Sequence, residues 1–199
     1  MLQENSFEII HLFELLSMDG GESYFKEMAD SFTSINKDVE TFFKEKAVQS
    51  CKLNTSSTYI IVSTDGTLEV LGYFTLATKM LTLKLSTLSK SEQKTISRYG
   101  YYDEDSDSVK IPAILIAQLS RNFNTNNVLH GSDLMDIVLK QVKSILNLTS
   151  GKTVFLECEK IKKLTDFYES QNFKFLDTKL LSKDNKELIQ MYRLIQKKT

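Results

Sequence analysis

The stretch IPAILIAQLSRNF (residues 111–123), continued by NTNNVLHGSDLM (124–135), decides how this chain folds. Ile111 to Leu119 is nearly all apolar and lacks a polar alternation, the pattern of a central strand covered on both faces of a sheet. Pro112 stands at the strand's entrance, where a missing N–H is tolerated. A polar loop, Arg121 to His130, leads through Gly131 and Ser132 into a segment carrying Leu134, Val138, Val142 and Ile145 at helical spacing. Free N–H groups at such a helix start form a site for an anionic pyrophosphate. Taken alone, the junction reads as a plain crossover connection, which every mixed α/β protein contains, so the flanking segments have to decide.

Downstream, beyond Gly151, Thr153 to Cys158 reads as a second buried strand and Ile161 to Ser170 as a short helix. Asn172 to Leu176 and Glu187 to Ile195 read as closing strands. Upstream, Phe7 to Leu12 reads as a first strand, broken by Asp19-Gly20-Gly21, and a mixed segment, Glu22 to Phe32, leads to a helix. Asn36 is its N-cap, Asp38 and Glu40 suit its positive end, and Val39, Phe42, Phe43 and Ala47 form an apolar face. Thr58 to Ser63 and Leu68 to Thr78 form a hairpin about Asp65-Gly66. From Lys84 to Lys110 the apolar period is lost: Ser89 to Glu92 has the form of a capping box, Tyr101 to Ser108 that of an acidic loop, and the whole reads as a mobile surface segment. The expected fold class is α/β (α+β), with a mixed, mostly antiparallel sheet flanked by helices.

With 199 residues, 41% of them hydrophobic, and no Gly/Ser/Pro linker or repeat, the sequence predicts a single domain over residues 1–199. No apolar run approaches the roughly 20 residues of a membrane span. Residues Met1 to Ser6 show no basic and apolar leader, which places the expected location in the cytoplasm without membrane contact. The 25 basic and 26 acidic residues leave a net charge of −1, so bulk charge does not nominate nucleic acid as a partner. Cys51 and Cys158 read as buried small hydrophobes, and His11 and His130 lie too far apart for metal ligation, so no metal is expected.

In order and spacing, IPAILIAQLSRNF, NNVLHGSDLM, VFLEC and DFYESQNFKFL resemble the successive cofactor-binding motifs of the GNAT superfamily of N-acetyltransferases. The upstream half, FTSINKDVETFFKEKA with STYIIVS and VLGYFTLAT, is similar to the branch that serves as toxins of bacterial toxin-antitoxin pairs. The likeness spans most of residues 32 to 195. It implies a single GNAT-like domain, with Ile111–Leu119 and Thr153–Cys158 as two parallel strands that splay apart, and acetyl-CoA as cosubstrate. It also implies transfer of an acetyl group to a primary amine. In this register Asn126, Leu129, His130, Gly131 and Ser132 belong to the pyrophosphate loop, and Leu119, Ser120 and Arg121 to the strand end that meets pantetheine and acetyl group. Tyr168 matches the family's tyrosine and would protonate or hydrogen-bond the CoA sulfur. Leu129 stands where the pattern has its first Gly, placing a side chain where backbone approaches phosphate, and Asn172 replaces the last Gly.

The chemistry requires a neutral amine, a held oxyanion and a proton for the departing thiolate. The oxyanion is expected at a backbone N–H near Leu119, on a bulged strand end. No general base is assigned: Gln118 stands where some family members carry a carboxylate, and an amide cannot take the proton. Glu157, Glu159 and Asp103 to Asp107 are the nearest acidic candidates. Two further readings remain: a GNAT scaffold that binds without catalysis, and a toxin acetylating aminoacyl-tRNA through lysines such as Lys160, Lys162, Lys163, Lys197 and Lys198. The resemblance also allows a homodimer.

Overall fold

The computed structural model describes residues 7–66, 68–125, 129–176, 180–181 and 185–195. In chain order its elements are β1 (Phe7–His11), α1 (Leu12–Leu16), α2 (Gly21–Asp30), α3 (Lys37–Thr41), a π-helical turn (Phe42–Lys46) and α4 (Ala47–Lys52). There follow β2 (Ser57–Ser63), β3 (Val70–Lys84), α5 (Lys90–Ile96), β4 (Tyr101–Asp103), β5 (Ser108–Arg121) and α6 (Gly131–Thr149). The last are β6 (Thr153–Glu159), α7 (Lys162–Ser170), β7 (Lys174–Phe175), β8 (Leu180–Leu181) and β9 (Glu187–Leu194). The strands join in one mixed sheet in the order β1-β2-β3-β5-β6-β9-β7, with β4 on β5 and β8 on β9. The chain divides into two compact units, residues 1–77 with 117–139 and residues 78–116 with 140–199, and β3 and β5 each run through both.

In the first unit β1, β2 and β3 pair antiparallel, Ile9 facing Ile61 and Ile60 facing Tyr73. Its core is aromatic: Phe43 stacks on Tyr73 with ring centres 4.3 Å apart and meets Phe25 and Phe32 at 5.2 and 4.8 Å. Burying each such ring contributes about 2–3 kcal/mol. Asn36 caps α3 as expected, its side chain accepting from the Asp38 N–H at 2.9 Å. The π turn then adds a residue to the helical repeat, so that Phe43 is fully buried while Phe42 is only half-buried. The start of the chain differs from the sequence reading in two ways. Strand β1 ends at His11 because Leu12, fully buried, opens α1, and the segment read as mixed is itself helix α2.

His11 stacks on Tyr59 at 4.7 Å, with Nε2 buried and without a hydrogen-bond partner among the described residues. Burial lowers its pKa from the usual value, against an opposing pull from Glu14. The unfolded chain therefore takes up this proton at a higher pH than the folded one. Its contribution to stability is complete above the unfolded value, about 6.5, and is lost as pH falls below it. Melting temperature is expected to drop between pH 8 and pH 5.5, and His11→Phe should flatten that part of the profile in a thermal-denaturation series.

In the second unit β5 and β6 pair parallel, and β6 and β9 antiparallel from Thr153 facing Leu194 to Glu159 facing Leu188. Residues 84–110, read as a mobile surface segment, belong to the core instead. Ile96 is fully buried, and Leu88, Val109 and Ile111 pack with Leu81, Leu83, Phe155 and Tyr192. The period was illegible because each short element here contributes one or two core residues. The acidic loop is a hairpin, Tyr101 facing Lys110 and Asp103 facing Ser108. The Ser89 capping box does form, and Glu92 also accepts from Lys174 at 2.6 Å and from the Tyr192 hydroxyl at 3.2 Å. Against the burial that would raise it, Lys174 and Ser89 hold the Glu92 carboxyl down at about 2.

Candidate active site

The parallel ladder joins Ile114 to Val154, Leu115 to Phe155 and Ile116 to Leu156. Both strands continue past it, β5 to Arg121 and β6 to Glu159. Residues Leu119, Ser120 and Arg121 lie on β5 beyond the residues that pair with β6.

That strand end is fixed within the first unit by hydrogen bonds that sequence reasoning missed. Asn122, 5% exposed, accepts through Oδ1 from the N–H groups of Thr33 (3.0 Å) and Asn124 (2.9 Å) and donates through Nδ2 to the Val70 carbonyl (2.8 Å). Its own N–H donates to the Leu71 carbonyl at 2.7 Å, and Phe123 N–H to the Thr33 carbonyl at 2.9 Å. The connection after α2 is thereby laced along the end of β5. The Ser34 and Ser120 hydroxyls meet at 2.9 Å, both buried. Glu40 Oε2 accepts from Ser34 N–H at 3.0 Å, and that bond, with Lys37 and Lys44, holds the carboxyl down at about 2. Arg121 lays its guanidinium over Phe123, 4.5 Å from the ring centre. The signal available in sequence was a single Asn directly after an apolar strand, in RNF, a position at which burial of a polar side chain requires partners.

Leu129 is 2% exposed, and its Cδ2 lies 3.1 Å from where a Cβ on Gly72 would stand. The same phantom Cβ would lie 3.0 Å from the Ser120 carbonyl oxygen, so Gly72 is what allows loop and strand end to close on β3. The side chain at the off-pattern position is therefore turned into the core, and does not stand out from the loop. His130 is exposed and its carbonyl accepts the Leu134 N–H at 3.0 Å, which puts it at the N-cap of α6, with Gly131 and Ser132 in the first turn. Asp133 adds a carboxylate to that turn, favoured by the helix dipole, with Oδ2 buried and unpartnered among the described residues. Asn126 lies outside the described residues, as do Lys197 and Lys198.

In the second unit Tyr168 sits on α7, its ring edge-on to Phe167 (5.2 Å) and Phe173 (6.0 Å). The end of α7 explains the motif around it. Phe173 N–H reaches back to the Tyr168 carbonyl (3.0 Å) and Asn172 N–H to the Glu169 carbonyl (2.9 Å), with Asn172 left-handed at φ 60°. This is a Schellman cap, whose usual apolar contact is the Tyr168–Phe173 pair. Asn takes the place of the customary Gly because it tolerates that backbone region. Asn172→Ala is expected to cost about 1 kcal/mol and Asn172→Gly to cost nothing or add a few tenths, readable in urea unfolding midpoints. Burial, reinforced by the nearby Cys158, raises the Tyr168 phenol well above its ordinary pKa. It is a neutral donor throughout the working range, and among the described residues its hydroxyl makes no hydrogen bond. Three of the acidic candidates for a base have partners of their own: Glu157 accepts from Gln190 at 2.8 Å, Glu159 from Lys186 at 3.0 Å, and Asp103 pairs with Lys110 at 3.5 Å. No helix among the described residues is long and apolar enough to cross a membrane.

The fold is that of the GNAT N-acetyltransferases. Among solved structures the chain is similar to AtaT complexed with acetyl-methionyl-tRNAfMet, at 20% identity and TM-score 0.65, over 92% of this chain and 93% of that one. It is likewise similar to a tyrosine-to-phenylalanine mutant of KacT, at 20% identity and TM-score 0.65, over 93% of this chain and 94% of that one. A third is AtaTR bound with AcCoA, at 16% identity and TM-score 0.57, over 95% and 93%. No protein-family model and no curated protein matches the chain.

Proposed function

We propose that residues 1–199 form one acetyl-CoA-dependent N-acetyltransferase domain that acts on a primary amine. The observation that carries this reading is the short β5–β6 ladder, three pairs long, with both strands running on beyond it. Backbone groups freed from a ladder are available to a pantetheine chain and to a thioester carbonyl. In the reaction the neutral amine attacks the thioester carbon, forming the C–N bond. A backbone N–H near Leu119 holds the oxyanion, the C–S bond breaks, and Tyr168 supplies the proton that converts the departing thiolate to free CoA thiol. The proton that the amine gives up passes to the phenolate left on Tyr168, directly or through water, so the tyrosine is restored and amide and CoA thiol are the products. Gly131 and Ser132, at the start of α6, would offer their N–H groups to the pyrophosphate, with Asn126, Leu129 and His130 completing the loop. The burial of the Leu129 side chain against Gly72 keeps it from standing in the way of such a contact.

For the amine, the α-amino group of an aminoacyl-tRNA is supported by the likeness to AtaT complexed with acetyl-methionyl-tRNAfMet. Gln118 in place of a strand carboxylate agrees with it, since an α-amino group, with pKa about 8, needs less help in losing its proton than a Lys side chain at about 10.4. Calorimetric titration with acetyl-CoA tests the proposal. Micromolar affinity, about −8 kcal/mol, is expected. The absence of heat, together with no release of free thiol in the presence of aminoacyl-tRNA or small amines, would make the chain a non-catalytic scaffold.

A further inference from the structure

The two buried serines near the end of β5 form a directed relay. Ser120 Oγ donates to the Arg121 carbonyl at 2.8 Å, and that carbonyl can only accept. Its single proton is thereby used, so the 2.9 Å contact between the hydroxyls must be donated by Ser34. Ser34 Oγ is left to accept, and does so from the Asn36 N–H at 3.2 Å. The chain of donation runs Asn36 N–H, Ser34 Oγ–H, Ser120 Oγ–H, Arg121 C=O. It terminates on a peptide group whose other end is also tied, the Asn122 N–H to the Leu71 carbonyl at 2.7 Å. Ser34 is itself fixed, its N–H donating to Glu40. At 5% and 8% exposure neither hydroxyl has water as a ready substitute.

We infer that Ser34 is a positioning residue for thioester activation: through Ser120 it fixes the Arg121–Asn122 peptide group at the end of β5, and with it the course of the strand end whose N–H polarises the acetyl carbonyl. The inference rests on the acetyl-CoA reading above. It is separate from that reading because it concerns how strongly a bound thioester is polarised, whichever amine receives the acetyl group.

The test uses [1-13C]acetyl-CoA bound to the full chain, with the carbonyl resonance as readout of hydrogen-bond donation. The parent protein should shift that resonance downfield from its free position; Ser34→Ala should bind the ligand yet lose at least about half of the displacement, and Ser34→Thr should restore it. Ser120→Ala, which removes only the last donor, should match Ser34→Ala. A full displacement in bound Ser34→Ala overturns the inference. So does loss of the fold, by circular dichroism, in both alanine variants, since the relay is then purely structural. A parent protein that fails to bind acetyl-CoA overturns the proposed function itself.

Discussion

Replacing Tyr168 by Phe is expected to lower acetyl transfer by about 10²–10³-fold while leaving acetyl-CoA affinity within about twofold of the parent protein. The asymmetry follows from what the hydroxyl does and does not touch. Its ring supports the end of α7 through Phe173, and phenylalanine keeps that contact. The hydroxyl makes no hydrogen bond among the described residues, so removing it breaks none there. A deeply packed phenol is a poor acid in water, but burial that raises Tyr168 also raises a thiolate leaving into the same surroundings, and the proton transfer depends on the difference. The loss should therefore appear in kcat, measured as thiol released from acetyl-CoA in the presence of an acceptor amine. Tyr168→Phe with undiminished kcat would remove the residue from the chemistry. Equal losses in affinity and turnover would instead show that the hydroxyl holds the cosubstrate.

What was legible in the sequence follows the strength of each local signal. β5 was readable because a strand covered on both faces needs an unbroken apolar run, and α6 because nineteen residues give several turns of period. The Ser89 capping box was readable as a Ser and a Glu three residues apart, and the Asn36 cap as an Asn followed by acidic residues at a helix start. Residues 84–110 were not, because their core residues belong to a short helix and a hairpin, and no window holds enough of either period.

The candidate site divides along the same line. Tyr168 and the end of β5 were reached through a motif-level resemblance. The left-handed Asn172 had a physical rationale in sequence, and the cap bears it out. Ser34 and Asn122 escaped because their partners lie 86 and 89 residues away, and nothing in a loop serine or asparagine announces a partner at that distance. Leu129 illustrates the reverse problem. Its departure from the pattern was visible, but the direction of its side chain depends on the space left by Gly72, 57 positions earlier.

The largest expected loss of stability comes from Asn122→Ala, about 3–5 kcal/mol, or a melting temperature lower by about 10–15 °C in a chain of this size. Asn122 serves three segments at once: the connection after α2 through Thr33, the loop through Asn124, and β3 through Val70. Alanine deletes all three side-chain bonds and leaves the Val70 carbonyl and Thr33 N–H short of a partner in a part of the molecule where Asn122 itself is 5% exposed. Such orphaned groups cost more than the bonds contributed, because burial has already removed their water. Asn122→Asp separates the two kinds of role within this one side chain. The carboxylate keeps an acceptor for Thr33 and Asn124 but sets negative charge against the Val70 carbonyl, so it should be destabilising near neutral pH and recover as pH falls and the carboxyl takes up a proton. The sign is that of a group whose folded pKa is raised: stability present below the unfolded value, about 3.9, and lost as pH rises through the folded one. A thermal series from pH 4 to pH 8 reads it directly. An Asn122→Ala variant that melts within a few degrees of the parent would show that water replaces the asparagine, and that the strand end is held by Ser34 and the backbone bonds alone.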